Sequence, residues 1–311
     1  MLYLTDNPQT TTEFLPRGSG WREIAVDSLQ EKDRALWSVF GGGTMLWTCE
    51  VSVPAGAPYA DRRMVLIDMA DASQFDAAMA ALKSGVDLPD GLVCLALEGA
   101  RHRGQRNRPW TALRGNVHFT AHYRVDAPGE QVETGLTMLP AVAAARAIRE
   151  AIGGRARPGI KWVNDILLDG RKVSGVLTAT HVQGATVERA VFGIGVNVAR
   201  APEIEPTPFV PSAGSLADYG VSAATVFSAL IGEMDAGLAI LRTVGSKPLY
   251  ENYRDMADFI GREITIWPEH CEDWRTSEPL FSGQIRSLRE DLSLEIEGLD
   301  EPVRKGRLAY G

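Results

Sequence analysis

The sequence predicts an α/β chain in three parts. These are an irregular arm (1–20), a mixed β-sheet with helices on one face (21–260), and a small barrel-like β domain (261–311). Three observations carry this. Runs rich in β-branched and aliphatic residues alternate with stretches of helical period as far as residue 258. From Gly261 the pattern changes to four short strands between 263 and 308. The 311 residues are 45% hydrophobic and 23% charged, a composition able to bury a core.

Residues 1–20 are polar and rich in Pro, Gly and Thr, hence the arm. Trp21–Val26 reads as a strand. Asp27 or Ser28 could cap the next helix, through Ala35, Leu36 and Val39, because a short side-chain oxygen accepts from free first-turn N–H groups. Gly41-Gly42-Gly43 ends that helix. Thr44–Val53 and Arg63–Asp68 read as strands, and Phe75, Met79 and Leu82 fall at helical spacing before a stop at Gly85. Pro89-Asp90-Gly91 turns into Leu92–Leu97, a continuous apolar run of the buried-strand kind. A charged loop covers 98–116. Val117, Phe119, Ala121 and Tyr123 then alternate with polar residues, as in a strand with one buried face.

A helix over 134–152 carries Leu136, Leu139, Ala143 and Ile148 and stops at Gly153-Gly154. Val187–Val198 is a strand. Over 222–244, Val226, Phe227, Leu230, Ile231, Met234, Leu238 and Leu241 share one helical face, with Ser222 as cap and Gly245 as stop. A shorter helix at 248–258 precedes the strands Glu263–Trp267, Gly283–Leu288, Leu292–Ile296 and Val303–Leu308.

A net charge of −8 argues against a general nucleic-acid or membrane-surface binder. The three cysteines, Cys49, Cys94 and Cys271, are too widely spaced for a disulfide framework or a zinc site. There is no basic-then-apolar leader and no apolar run of membrane-spanning length, so a soluble cytoplasmic protein is expected.

Three stretches carry candidate chemistry. In Lys161 to Leu177, apolar runs flank Asp169-Gly170, a hairpin signal because both central positions of a type I′ turn need positive φ. Lys161, Asn164, Asp165 and Lys172 place charge and polarity along those arms. Four arginines (101, 103, 106, 108) crowd Arg101–Trp110, and guanidinium groups grip phosphate or carboxylate in a planar fork. A merely solvated basic loop is the competing reading. Gly193-Ile194-Gly195-Val196-Asn197 lacks the third glycine of a dinucleotide fingerprint. It reads either as a tight turn or as a flat floor for a purine, with Asn197 as a polar handle.

Together these stretches resemble the biotin protein ligase family of the biotin/lipoate ligase superfamily, well over roughly 86–200 and loosely over 261–311. The family's Gly-Arg-Gly-Arg-Arg-Gly-Arg-x-Trp loop is matched by His102-Arg103-Gly104-Gln105-Arg106-Asn107-Arg108-Pro109-Trp110. Its Lys-Trp-Pro-Asn-Asp element is matched by Lys161–Asp165 with Val163 for Pro, and its Gly-x-Gly-x-Asn by Gly193–Asn197. Gly115-Asn116 matches a fourth element. The resemblance implies a class II synthetase-like fold with a C-terminal SH3-like module. It also implies two reactions: biotin attacks the α-phosphate of ATP, and a lysine of a carrier domain, of the biotin carboxyl carrier type, then takes the acyl group.

By resemblance, Lys172, Arg103 and Arg106 are catalytic. Ser28, Gln30, Gly99, Arg103, Gly104, Gln105, Lys172 and Gly175 bind the acid. Arg106, Arg108, Trp110, Lys161, Asn164, Asp165, Gly193, Gly195 and Asn197 bind ATP, with Asp165 near Mg2+. Ser28-Leu29-Gln30 stands for the family's Ser-Thr-Asn, Gly99 for its biotin-reading Gln, and an insertion separates them near 44–85. Cys94 falls in a buried strand and no helix-turn-helix precedes the domain, so neither a thiol acyltransferase nor a repressor is expected. A monomer or homodimer is expected. The alternatives are the same fold acting on a lipoyl or octanoyl group, or a non-catalytic small-acid binder.

Overall fold

The apolar runs assemble into one eleven-stranded mixed sheet, followed by a four-stranded antiparallel one. The computed structural model describes residues 1–54, 56–271 and 273–311. The chain begins with β1 (Leu2–Thr5), α1 (Pro8–Thr11), β2 (Arg22–Ala25), α2 (Glu31–Phe40), β3 (Met45–Glu50), β4 (Arg63–Ala70) and α3 (Gln74–Lys83). It continues through β5 (Leu92–Arg103), β6 (Pro109–Ala112), β7 (Val117–Pro128), α4 (Gly129–Ala151), β8 (Gly159–Lys161), β9 (Asp165–Leu168), β10 (Arg171–Gln183) and β11 (Thr186–Val196). It ends with α5 (Ala223–Thr243), α6 (Lys247–Asp255), β12 (Glu263–Trp267), β13 (Phe281–Leu288), β14 (Leu294–Ile296) and β15 (Arg307–Tyr310). The large sheet runs β2-β3-β1-β4-β5-β7-β11-β10-β9-β8, with β6 paired to β5. The pairs β1/β4 and β4/β5 are parallel.

The hairpin forms as its sequence demands: Asp169 has φ 50° and Gly170 φ 74°. Ser222 caps α5, accepting from the Thr225 N–H at 3.1 Å, and Gly245 closes it at φ 99°. By length and composition α5 could cross a bilayer, but its Leu230, Met234, Leu238 and Leu241 are buried in the core with α4.

Four expectations are corrected. Residues 1–20 are not an irregular arm. β1 lies inside the sheet between β3 and β4, and Leu4 is fully buried, but a four-residue strand is too short to show a period. The segment 44–85 is not an excursion from the sheet, because it supplies β3, β4 and α3 to the central architecture. The stretch 98–116 is not a loop: β5 runs on to Arg103 and turns back through β6. Helices cover both faces, α4 and α5 on one, and α2 and α3 on the other. The second layer is why β7 is buried on both sides, with His118, Thr120 and His122 filling its supposedly wet face. His122 meets Pro89 O there at 2.9 Å, and burial lowers its pKa to about 4.

Smaller differences follow the same logic. Ser28 lies in a short 3-10 turn, and α2 starts only at Glu31 with no side-chain cap. In the small sheet β15 starts at Arg307, while Val303 only bridges Leu294. The two sheets share a core that includes Ile160, Ile264, Ile285 and Leu294. Trp162 Nε1 donates across to Leu292 O at 2.8 Å.

Candidate active site

The β5–β6 hairpin, β7, the β9–β10 hairpin and β11 converge on one cavity of about 360 Å³. It is lined by Arg103, Gly104, Gln105, Arg108, Trp110, Asn164, Lys172, Gly175, Gly193, Gly195 and Asn197, eleven of the residues singled out from sequence. Arg106, Lys161 and Asp165 line an adjoining crevice that shares Gln105, Arg108 and Asn164 with it. Ser28 and Gln30 lie elsewhere, in a groove with Arg22 and Asp33 near the β2 edge, which corrects their assignment to acid binding. Gly99 also lies outside the cavity, on the outer side of the β5–β6 hairpin.

The cavity floor is made of glycines because an aromatic ring lies on it. A Cβ at Gly195 would stand 2.3 Å from Trp110 Cζ2, and one at Gly175 would stand 3.3 Å from Trp110 and 3.4 Å from Lys172 Nζ. Trp110 Nε1 donates to His118 Nδ1 at 3.3 Å, while His118 Nε2 faces Leu113 O at 3.2 Å. That pattern assigns the proton to Nε2. Burial lowers the His118 pKa to about 4, so the ring is a neutral acceptor that holds Trp110 in place. Gly195→Ala should drive Trp110 off this floor and expose its indole, read as a red shift of its fluorescence emission. An emission spectrum unchanged from wild type would show that the ring does not depend on the bare glycine.

Lys172 is re-aimed by a bulge in β10, where the register with β9 shifts between Lys172 and Ser174. Its Nζ lies 2.6 Å from Asp165 Oδ1, and both side chains are largely buried. Asn164 is fixed by its Nδ2 donating to Val176 O at 3.0 Å. Asn197 Nδ2 donates to Gly214 O at 3.0 Å, which leaves Oδ1 buried with no partner among the described residues.

The charged residues sort by what already holds them. Lys161 is buried, and its Nζ donates to Phe209 O and lies 5.2 Å from the Tyr310 ring, so it braces the C-terminal module. Burial lowers its pKa to about 8. Arg106 pairs with Glu269 of that module at 3.0 Å. Burial lowers the pKa of Arg108. It lowers that of Arg307, another cavity residue, to about 10, helped by repulsion from Arg108. The cluster of cations at one cavity makes its potential favourable to an anion.

Ser73, Phe75, His102 and Thr120 are among the lining residues to which the sequence assigned no site role. Ser73 occupies the cap position of α3, yet its hydroxyl makes no capping bond and the residue is 5% exposed. Gln74, next to it, is 4% exposed, and neither amide atom has a partner among the described residues. The available signal was Asp71-Ala72-Ser73-Gln74, small polar residues between an apolar strand and an amphipathic helix. No group of three His, Cys, Asp or Glu that could hold a metal ion occurs among the described residues, and Asp165 is already engaged by Lys172.

The sequence model of the biotin/lipoate A/B protein ligase family matches residues 82–197. The chain is 31% identical to the biotin–[acetyl-CoA-carboxylase] ligase of Mycobacterium tuberculosis over 198 residues, 60% of this chain and 68% of that one. It is 38% identical to the enzyme of that name from Paracoccus denitrificans over 123 residues, 40% of this chain and 51% of that one. The chain spans about half or less of the length of the first curated relatives it matches. In three dimensions it resembles the biotin protein ligase from Aquifex aeolicus in complex with biotin and ATP. The TM-score is 0.60 at 18% identity, over 79% of this chain and 97% of that one, which is a likeness of fold.

Proposed function

We propose that this chain, which belongs to the biotin/lipoate A/B protein ligase family, adenylates biotin with ATP and passes the biotinyl group to a lysine of a carrier protein. The observation that carries this reading is the single cavity holding Arg103, Lys172, Trp110 and Asn197 together.

In the first step a carboxylate oxygen of the acid attacks the α-phosphorus, and the bond to the β-phosphate oxygen breaks as pyrophosphate leaves. Lys172 and Arg103 offset the charge that builds between carboxylate and α-phosphate, in a site where water screens poorly. Arg106, Arg108 and Arg307 face the leaving pyrophosphate. Gly104 lets the backbone close on the adenylate, and Gln105 and Asn164 hydrogen-bond around it. The purine stacks on the open side of Trp110, whose ring itself rests on Gly195, with Asn197 Oδ1 accepting from an exocyclic amine. Ser73, which lines the cavity, takes over acid recognition from Ser28 and Gln30. In the second step a neutral lysine amine attacks the acyl carbon, the bond from that carbon to the phosphate oxygen breaks, and AMP departs as the amine loses a proton to solvent.

Mg2+ fits as the counter-ion of ATP, since that ion is commonly held by one or two carboxylates plus substrate phosphates. It would neutralise triphosphate charge, with Asp165 and Glu269 of the adjoining crevice and Glu205 of the cavity as carboxylates within the site. The acceptor is a biotin carboxyl carrier type of domain, and the compartment is the cytoplasm, consistent with three unpaired cysteines. ATP–pyrophosphate exchange tests the reading with biotin, lipoate and octanoate as separate acids. Exchange that needs biotin supports it, exchange with another acid alone moves the substrate, and no exchange with any acid removes the enzymatic reading.

A further inference from the structure

Beside the cavity, Gly99 leaves a notch that a neighbouring side chain fills. A Cβ built on Gly99 would stand 2.0 Å from His102 Cε1 and 2.3 Å from its Nδ1, so no other residue at 99 leaves that ring where it is. The imidazole lines the cavity, and Nδ1 is buried with no hydrogen-bond partner among the described residues. His118 lies next to it, ring centroids 5.5 Å apart, but both His118 nitrogens are already engaged, by Trp110 and by Leu113. Ser73, whose hydroxyl makes no capping bond to α3, lines the same cavity.

We propose that His102, seated in the Gly99 notch, is the residue that selects the head group of the acid, hydrogen-bonding a polar ring such as the ureido ring of biotin. The inference rests on the adenylation reading above. Nδ1 is closed off against Gly99, so Nε2 is the ring nitrogen left to meet a ligand. Burial lowers the His102 pKa, so at neutral pH the uncharged ring presents Nε2 as a donor or, in the other tautomer, as an acceptor. A ureido group carries both N–H donors and a carbonyl acceptor and can answer either. A plain alkyl acid leaves His102 without a partner, and a site built to hydrogen-bond its ligand rejects an analogue that lacks those groups.

Calorimetric titration of the full chain with biotin, octanoate and ATP in turn tests this, comparing wild type with His102→Leu and Gly99→Ala. His102→Leu keeps the notch filled and should weaken biotin binding on the order of ten- to a hundredfold, without weakening octanoate and with ATP affinity unchanged. Gly99→Ala displaces the ring and should repeat the biotin loss. Equal biotin affinity in wild type and His102→Leu overturns the proposal. So does a parallel loss of ATP affinity, which would make the ring a support for the Trp110 region. Octanoate binding as tight as biotin in the wild type overturns it too, while exchange activity with either acid leaves the adenylation reading standing.

Discussion

Lys172→Ala should lower biotin-dependent ATP–pyrophosphate exchange about a hundred- to a thousandfold, the range found when one preorganised group is removed from developing transition-state charge. The ammonium is poorly solvated, paired with Asp165 at 2.6 Å and 5.8 Å from the centroid of the Trp110 ring. Binding of MgATP makes a new anion compete with Asp165 for the same charge. Lys172→Arg should not restore the rate: the planar fork is larger than an ammonium, and Gly175 and Trp110 already crowd Lys172. Removing Lys172 also leaves Asp165 without its partner, so rates are compared per folded molecule, checked by circular dichroism. Exchange that persists at the wild-type rate in a folded Lys172→Ala would remove Lys172 from the mechanism.

Asp235→Ala should destabilise the chain by about 3 kcal/mol, the low end of the cost of breaking a buried ion pair. Arg62, just before β4, is 2% exposed, and its guanidinium donates to Asp235 Oδ1 on α5 at 2.6 Å. The Tyr123 hydroxyl from β7 donates to the same oxygen at 3.0 Å. Asp235 therefore ties α5 to two strands. Its own side chain is 23% exposed, so water softens the loss. Truncation leaves a buried guanidinium against the Tyr59 ring, 4.7 Å from the centroid, without its carboxylate. The expected fall in Tm is roughly 6–12 °C for a domain of this size. Asp235→Asn keeps an acceptor for Tyr123 and should cost less. A melt of Asp235→Ala indistinguishable from wild type would show the pair to be energetically idle. Catalysis by the surviving folded molecules should be intact, because Asp235 does not line the cavity.

Much of the site was legible because its signals are local. Asp169-Gly170 can hardly turn any other way between two apolar runs, and the Gly193–Asn197 floor lies within five consecutive residues. Lys172 and Arg103 could be singled out from their own neighbours. Lys161 could not be sorted from Lys172 in this way, since both are lysines on the arms of that hairpin region. One faces the cavity and the other is buried against Phe209, and their distance from the C-terminal module decides which.

By itself the sequence determined the α/β class, the change of pattern at Gly261, the hairpin, the α5 helix and the cationic and glycine-rich edges of the cavity. All of these depend on the chemistry of adjacent residues. Only the tertiary structure decided that Ser73, not Ser28, meets the cavity. Both are serines just after a strand and just before a helix, and short-range rules treat them alike. Insertion of β1 between β3 and β4 places β2 at the far end of the sheet, while β4 pairs directly with β5. That order is set by burial of side chains distant in sequence, so no window of neighbouring residues contains it.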